Sequence, residues 1–241
     1  MRLIGVGTGP GDPELVTLQA VRLLREAGRV FVPVMSLDEQ GRAEATVRAH
    51  AGHDRIERLV FALNERDDAR RREHHWDGAG RRVADWLGET GGTAVFATIG
   101  DPNVYSTFGY LAATVRALLP EVEITTAPGI TAMQALSAAA GVPLAEGVEP
   151  LVLVPLARGA AALSGALAYA EDGTVVAYKG GRHLDEVVAV VKEAGRLGDA
   201  VLGTRLGLPG ETVTPLAAAG EAPYLSAVLI PGRREGRGGK L

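Results

Sequence analysis

Cysteine is missing from the 241 residues of this chain. Its absence removes disulfide bonds, thiolate nucleophiles, cysteine zinc sites and cysteine-ligated iron–sulfur clusters from the chemistry open to the protein, and it suits a cytoplasmic location. Long apolar runs are missing too. The stretches from Leu151 to Leu156 and from Leu225 to Ile230 are far too short to span a bilayer. The first residues run directly into a strand pattern without a cleavable leader, so neither a membrane segment nor export is expected. A third absence is positive charge in excess. Lys and Arg number 25 against 29 Asp and Glu, a net charge of −4, which argues against the broad basic field of a nucleic-acid binder.

One stretch departs from that balance. Arg66, Arg70, Arg71, Arg72, His74, His75, Arg81 and Arg82 form a cationic segment that could meet a polyacidic ligand. Glu65, Asp67, Asp68 and Glu73 are interleaved among them, as on a solvated helix face. The histidine pairs do not suggest a metal site. His50 and His53 are three apart and His74 and His75 are adjacent, but neither pair has a third ligand at suitable spacing, and all four are expected at the surface.

Glycine and proline are plentiful, and they gather in two turns. Gly5-Val6-Gly7-Thr8-Gly9-Pro10-Gly11-Asp12-Pro13 and Gly100-Asp101-Pro102-Asn103-Val104-Tyr105-Ser106-Thr107 each follow a short apolar run and lead into a helical pattern. Glycine lets backbone approach a bound molecule at positive φ and proline stiffens the turn, so loops of this kind at the carboxyl ends of strands build ligand sites in α/β sheets. A dinucleotide fingerprint is not satisfied. Its third glycine is replaced by Pro10, and the stretch about 20 residues on, where a ribose-binding acid belongs, reads Val30-Phe31-Val32-Pro33.

Strand-like runs at Leu3 to Val6, Arg29 to Val32, Arg58 to Phe61, Thr93 to Thr98 and Glu123 to Thr126 alternate with helical patterns, the signature of an α/β domain with a largely parallel sheet. Leu15, Leu18, Val21 and Leu24 form one apolar stripe and Leu111, Val115 and Leu118 another, which Pro120 ends. A small-residue helix from Thr131 to Ala140 then opens a second α/β unit, with strands near Leu151 to Pro155, Thr174 to Tyr178, Val201 to Thr204, Glu211 to Thr214 and Leu225 to Ile230. The expected organisation is two α/β domains, residues 1–119 and 120–241, closed by a mobile tail from Gly232 to Lys240.

Several residues allow two readings. Asp101 followed by Pro102 suits an N-cap with proline at the first helical position, which alone would account for both. Lys179 ends the apolar run Val175-Val176-Ala177-Tyr178 and is either a solvated strand end or a charge facing an acceptor carboxylate. Tyr105, Ser106 and Thr107 either hydrogen-bond a substrate or begin a helix. No residue is singled out as catalytic.

Three segments in order, Gly5 through Leu18, Gly100-Asp101-Pro102 and Pro128-Gly129-Ile130-Thr131-Ala132, resemble the S-adenosylmethionine-dependent tetrapyrrole methyltransferases over nearly the whole chain. Gly100 through Phe108 and Lys179-Gly180-Gly181-Arg182-His183 resemble the subgroup that methylates C20 of precorrin-2 in cobalamin synthesis. The resemblance implies a donor cleft between the two domains and a homodimer. It implies S-adenosylmethionine contacts at Pro10, Gly100, Asp101, Val104, Thr131, Ala132, Tyr178, Lys179 and Gly207, and tetrapyrrole contacts at Tyr105, Ser106, Thr107 and Arg182. Rival outcomes are methylation at another ring position, including that of uroporphyrinogen III, methylation of a protein side chain as in a more distant relative, and a non-catalytic ligand-binding module.

Overall fold

A computed structural model describes residues 1–61, 69–223, 225–234 and 236. The chain divides into two compact units, Met1–Thr131 and Ala132–Leu241. In the first, strands β1 (Arg2–Gly7), β2 (Arg29–Val34), β3 (Ile56–Val60), β4 (Thr93–Thr98) and β5 (Glu123–Ala127) alternate with helices α1 (Leu18–Glu26), α2 (Arg42–His50), α3 (Ala69–Thr90) and α4 (Phe108–Leu118). The sheet order is β3-β2-β4-β1-β5 and all its pairings are parallel. Its central strands β2, β4 and β1 read as near-continuous apolar runs because both faces are covered. Leu3, Phe31, Phe61, Phe96 and Leu111 are packed in one buried cluster, and Ile4, Val6, Val30, Val32 and Val95 in another.

The sequence boundary after residue 119 falls short of the structural one. β5 pairs with β1 from Arg2↔Glu123 to Val6↔Ala127, so a cut at Pro120 would strip the edge strand from the first sheet. The stripe through Leu15, Leu18, Val21 and Leu24 is also mis-phased. Asp12 shapes residues 12–15 into a turn, with the Glu14 N–H donating to Asp12 Oδ1 at 2.8 Å, and α1 begins only after Thr17, whose Oγ1 accepts from the Ala20 N–H at 3.1 Å. The buried stripe is therefore Ala20, Leu23, Leu24 and Ala27, while Leu18 is 89% exposed. Burying the two leucines contributes about 2 kcal/mol each. Leu118 likewise lies half-exposed at the end of α4.

The loop between β2 and α2 is braced by charge. Glu44 has no exposed side-chain surface, and its carboxylate accepts from Arg48 Nε at 2.7 Å, Arg58 Nε at 2.9 Å, Arg58 Nη2 at 3.0 Å and the Gly41 N–H at 3.2 Å. Arg58 Nη1 donates to the Leu37 carbonyl at 2.6 Å. Burial by itself would raise the Glu44 pKa, but the hydrogen bonds from Arg58 and Arg48 outweigh it and hold the carboxyl below its ordinary value.

The second unit contains α5 (Ala132–Ala140), β6 (Leu151–Pro155), α6 (Ala161–Tyr169), β7 (Thr174–Tyr178), α7 (Leu184–Glu193), β8 (Val201–Thr204), β9 (Thr212–Pro215) and β10 (Ser226–Ile230). Its order is β6-β7-β10-β8-β9, with β10 antiparallel to both β7 and β8. The tail is anchored where it is described. The Gly232 N–H donates to Thr174 Oγ1 at 2.8 Å, and Arg234 donates to both carboxylate oxygens of buried Glu149 at 2.9 and 2.7 Å. Gly232–Arg234 is thus fixed, contrary to the expectation of a mobile tail there, and Glu235 and residues 237–240 lie outside the described residues.

Of the cationic segment, Glu65, Arg66, Asp67 and Asp68 lie outside the described residues, as do the side chains of Arg70 and Arg71. Arg82 forms a fork on Glu57 at 2.6 and 3.0 Å, and His74 is exposed. Those features match the solvated helix face. Among the described residues no helix is long and apolar enough to cross a membrane, and no group of three His, Cys, Asp or Glu is placed to hold a metal ion.

Candidate functional site

Parallel register sets the place of the first two glycine loops. Gly7 lies opposite Thr98, so β1 and β4 end level and their loops leave side by side at the carboxyl edge of the sheet, where open α/β sheets hold ligands. The loops then join. The Gly100 N–H donates to the Gly9 carbonyl at 2.7 Å in an isolated antiparallel bridge, and Thr8 donates through both N–H and Oγ1 to the Thr98 carbonyl at 2.9 and 3.0 Å. A third loop, after β5, packs against both. A Cβ added at Gly7 would stand 2.6 Å from Gly100 O and from Gly129 Cα, and one added at Gly129 would overlap Gly100 O. Gly7 and Gly129 are glycine because three backbones meet there.

Gly100 differs from these two. Its φ is +69° and a Cβ built on it meets nothing within 4 Å. The residue is exempt from crowding by its own protein, yet it holds a left-handed conformation that presents bare backbone to open space.

Asp101 does not cap α4, which starts seven residues later at Phe108. Its buried carboxylate instead accepts from the Asn103 N–H through Oδ1 at 2.7 Å and from the Gly129 N–H through Oδ2 at 3.0 Å. One oxygen closes an Asx turn and the other ties the β4 loop to the β5 loop, so the N-cap reading gives way to a cross-loop clamp. The helix start is prepared by Ser106, whose Oγ accepts from the Phe108 N–H at 3.1 Å and donates to Thr98 Oγ1 at 3.3 Å. Thr107 occupies the N-cap position without a side-chain cap bond. Tyr105, at φ +49°, keeps 44% of its surface exposed, and the part of the ring that is buried pushes the phenol pKa up. Val104 is half-buried, and Pro10 is buried within the first loop.

The first loop has one anchor that the sequence reading missed. His50, the last residue of α2, places Nε2 2.8 Å from the Pro13 carbonyl oxygen. This half-buried histidine is not the surface residue expected from its spacing to His53. No local pattern could have disclosed it, because its partner is 37 positions away.

In the second unit, Thr131 ends the preceding unit buried at 7% exposure and Ala132 opens α5. Tyr178, also buried, accepts the Met133 N–H on its phenol oxygen at 2.7 Å, satisfying one of the orphan donors in the first turn of α5. Lys179 follows at φ +64°, with its N–H donating to the Ser226 carbonyl at 3.1 Å. Arg205 is also at positive φ, +52°, and Gly207 follows at +71° with its N–H on Glu211 Oε2 at 2.6 Å. The non-glycine residues Tyr105, Lys179 and Arg205 pay for a left-handed backbone at three strand-end loops, which is where functional sites concentrate strain. Arg182 is exposed in the short turn Gly181–His183.

The family model for tetrapyrrole (corrin/porphyrin) methylases matches residues 2–220. A precorrin-2 C(20)-methyltransferase from a Sinorhizobium species is 33% identical over 97% of this chain and 96% of its own length. A cobalt-precorrin-2 C(20)-methyltransferase from Salmonella typhimurium is 27% identical, with 95% of each chain covered. In fold, the chain is similar to a cobalt-precorrin-4 methyltransferase at TM-score 0.68 and 20% identity, covering 95% of this chain and 94% of that one. Diphthine synthase has the same fold at TM-score 0.65 and 15% identity, covering 96% and 90%, so the fold by itself does not choose between a tetrapyrrole and a protein acceptor. With a family match across nine-tenths of its length and a whole-length relative at one-third identity, the chain belongs to the tetrapyrrole (corrin/porphyrin) methylases.

Proposed function

We propose that this protein transfers a methyl group from S-adenosylmethionine to C20 of precorrin-2, giving precorrin-3A in cobalamin synthesis. The observation that carries the donor part is Gly100. A left-handed glycine whose missing Cβ would meet only open space, set where three loops are locked together, is a backbone cradle that fits a ligand held without side-chain chemistry. The acceptor part is supported by the whole-length likeness to precorrin-2 C(20)-methyltransferases.

Bound S-adenosylmethionine supplies an electrophilic methyl on a sulfonium centre. What remains for the protein is alignment, since holding two reactants in near-attack geometry supplies much of the acceleration of an in-line displacement. In this reading Gly100, Asp101 and Val104 contact the donor, with Asp101 holding the β4 and β5 loops in register rather than moving a proton. Pro10, within the first loop, lies beneath the donor. Thr131, Ala132, Tyr178, Lys179 and Gly207 are proposed as further donor contacts. At Tyr178 and Lys179 the contact is through backbone, since an ammonium beside a sulfonium would be repelled.

Tyr105, Ser106, Thr107 and Arg182 are proposed to meet the acceptor. Ser106 has the least to offer, because its hydroxyl already serves Phe108 and Thr98. The side chains of Lys179 and Arg182 face acceptor carboxylates in this reading, so neutralising both raises the KM for the tetrapyrrole and leaves donor affinity unchanged. The reading also carries a cytoplasmic homodimer, and a sedimentation mass of one chain at micromolar concentration contradicts the dimer. Incubation with methyl-labelled donor and precorrin-2, followed by mass and NMR assignment of the product, tests the whole. A label at C20 supports it. A label at another ring carbon moves the protein within the family, and no transfer contradicts it.

A further inference from the structure

The segment Gly9-Pro10-Gly11-Asp12-Pro13 has few N–H donors with which to hold its shape. Two of its five residues are prolines, and its glycines sit at φ +77° and +152°, where few other residues can. Gly9 is tied to Gly100 at one end, and Thr17 caps α1 at the other. Between them the Pro13 carbonyl is fixed from outside the loop by the His50 ring at 2.8 Å.

His50 is itself held. Its carbonyl accepts from Arg25 Nε at 3.1 Å, and the Arg25 carbonyl accepts from Arg55 Nη1 at 2.6 Å. Arg25 lies in the last turn of α1, the helix that the loop enters. The bonds therefore form a closed path from Pro13 through α1 and Arg25 to His50 and back to Pro13. A carbonyl can only accept, so the ring nitrogen facing it carries hydrogen, which fixes Nε2 as the protonated position.

We propose that His50 is a positioning residue for donor binding: by donating Nε2–H to the Pro13 carbonyl it holds the first glycine loop in its ligand-ready shape before the donor arrives. The inference rests on the donor reading above. Removing the restraint leaves the loop to be ordered at the moment of binding, and that ordering cost appears as lost affinity. A net hydrogen bond of about 0.5–1.5 kcal/mol converts to a roughly 2- to 12-fold loss.

The test is calorimetric titration of S-adenosylmethionine into the full-length wild type and the variants His50→Phe and His50→Gln, with melting temperatures recorded alongside. Phenylalanine keeps the ring's bulk without a donor, and glutamine keeps an N–H. The expected result is a several-fold weaker Kd for His50→Phe and a Kd within twofold of wild type for His50→Gln. A His50→Phe protein that melts lower but binds the donor as tightly as wild type shows a structural bond only and overturns the inference, as does equal loss in both variants. Should His50→Phe fail to fold, His50→Gln and His50→Asn provide the same contrast, because the shorter amide of asparagine does not reach Pro13. Equal affinity in these two also overturns the inference. Failure of the wild type to bind the donor contradicts the functional reading itself.

Discussion

Two loops leave the same edge of the first sheet and are shaped by opposite means. The β1 loop and its partners after β4 and β5 are formed by what is missing, since Gly7 and Gly129 have no side chains and their backbones pack against each other and against the Gly100 carbonyl. The β2 loop is formed by what is buried, a carboxylate with no exposed surface receiving Arg48, Arg58 and the Gly41 N–H. Glycine contact leaves room for a ligand and makes geometry sensitive to a single methyl group. An ion cluster makes geometry robust but ties stability to protonation.

The largest effect expected from breaking this comparison is on the charged side. Glu44→Gln leaves two guanidinium groups facing an amide. Loss of one partner from a buried pair costs about 3–5 kcal/mol, and since Arg48 and Arg58 are about one-third exposed the lower end applies. Denaturant titration should show that loss while donor affinity in the folded fraction stays within about twofold. The same group sets an acid dependence. Its folded pKa lies below the ordinary carboxylate value, so its contribution is complete above about pH 5 and fades as pH falls through and below 4.5 toward the folded pKa. In Glu44→Gln the slope of stability against pH in that window should flatten, and an unchanged slope contradicts the assignment.

The glycine side breaks differently. Gly129→Ala drives a methyl into the Gly100 carbonyl and Gly7, an overpacking cost of about 1–3 kcal/mol. It should cost less stability than Glu44→Gln but much more donor affinity. If Gly129→Ala binds the donor normally, the triple crossing is not part of the site.

Legibility in the sequence followed the same division. The strand runs from Leu3, Arg29, Thr93 and Thr174 were legible because continuous apolar stretches between turns mark strands buried on both faces. The glycine loops were legible because glycine and proline state backbone needs locally. What depends on distant partners was not. Asp101-Pro102 reads as a helix start from neighbours alone, but the Gly129 N–H lies 28 residues on and takes one carboxylate oxygen. The phenol of Tyr178 on Met133, the ring of His50 on Pro13 and the pairing of β5 with β1 that moves the unit boundary are of the same kind.

A smaller effect sharpens that point. Asp101→Asn keeps one acceptor oxygen and turns an NH2 group toward one of its two N–H partners, so it should cost about 1–2 kcal/mol by chemical denaturation. It should also reduce donor affinity, where a simple N-cap would have tolerated asparagine. Wild-type stability in Asp101→Asn would contradict the cross-loop clamp.

The proposed function rests on bare backbone at Gly100 forming the donor cradle. Calorimetric titration of S-adenosylmethionine into Gly100→Val tests it most directly, because the new side chain meets no protein atom within 4 Å at its Cβ while a β-branched residue at φ +69° is strained and fills the cradle. The expected variant is a folded, cooperatively melting protein whose donor Kd is weakened by at least about tenfold, or 1.4 kcal/mol. A folded Gly100→Val that binds the donor with wild-type affinity would contradict the Gly100 cradle.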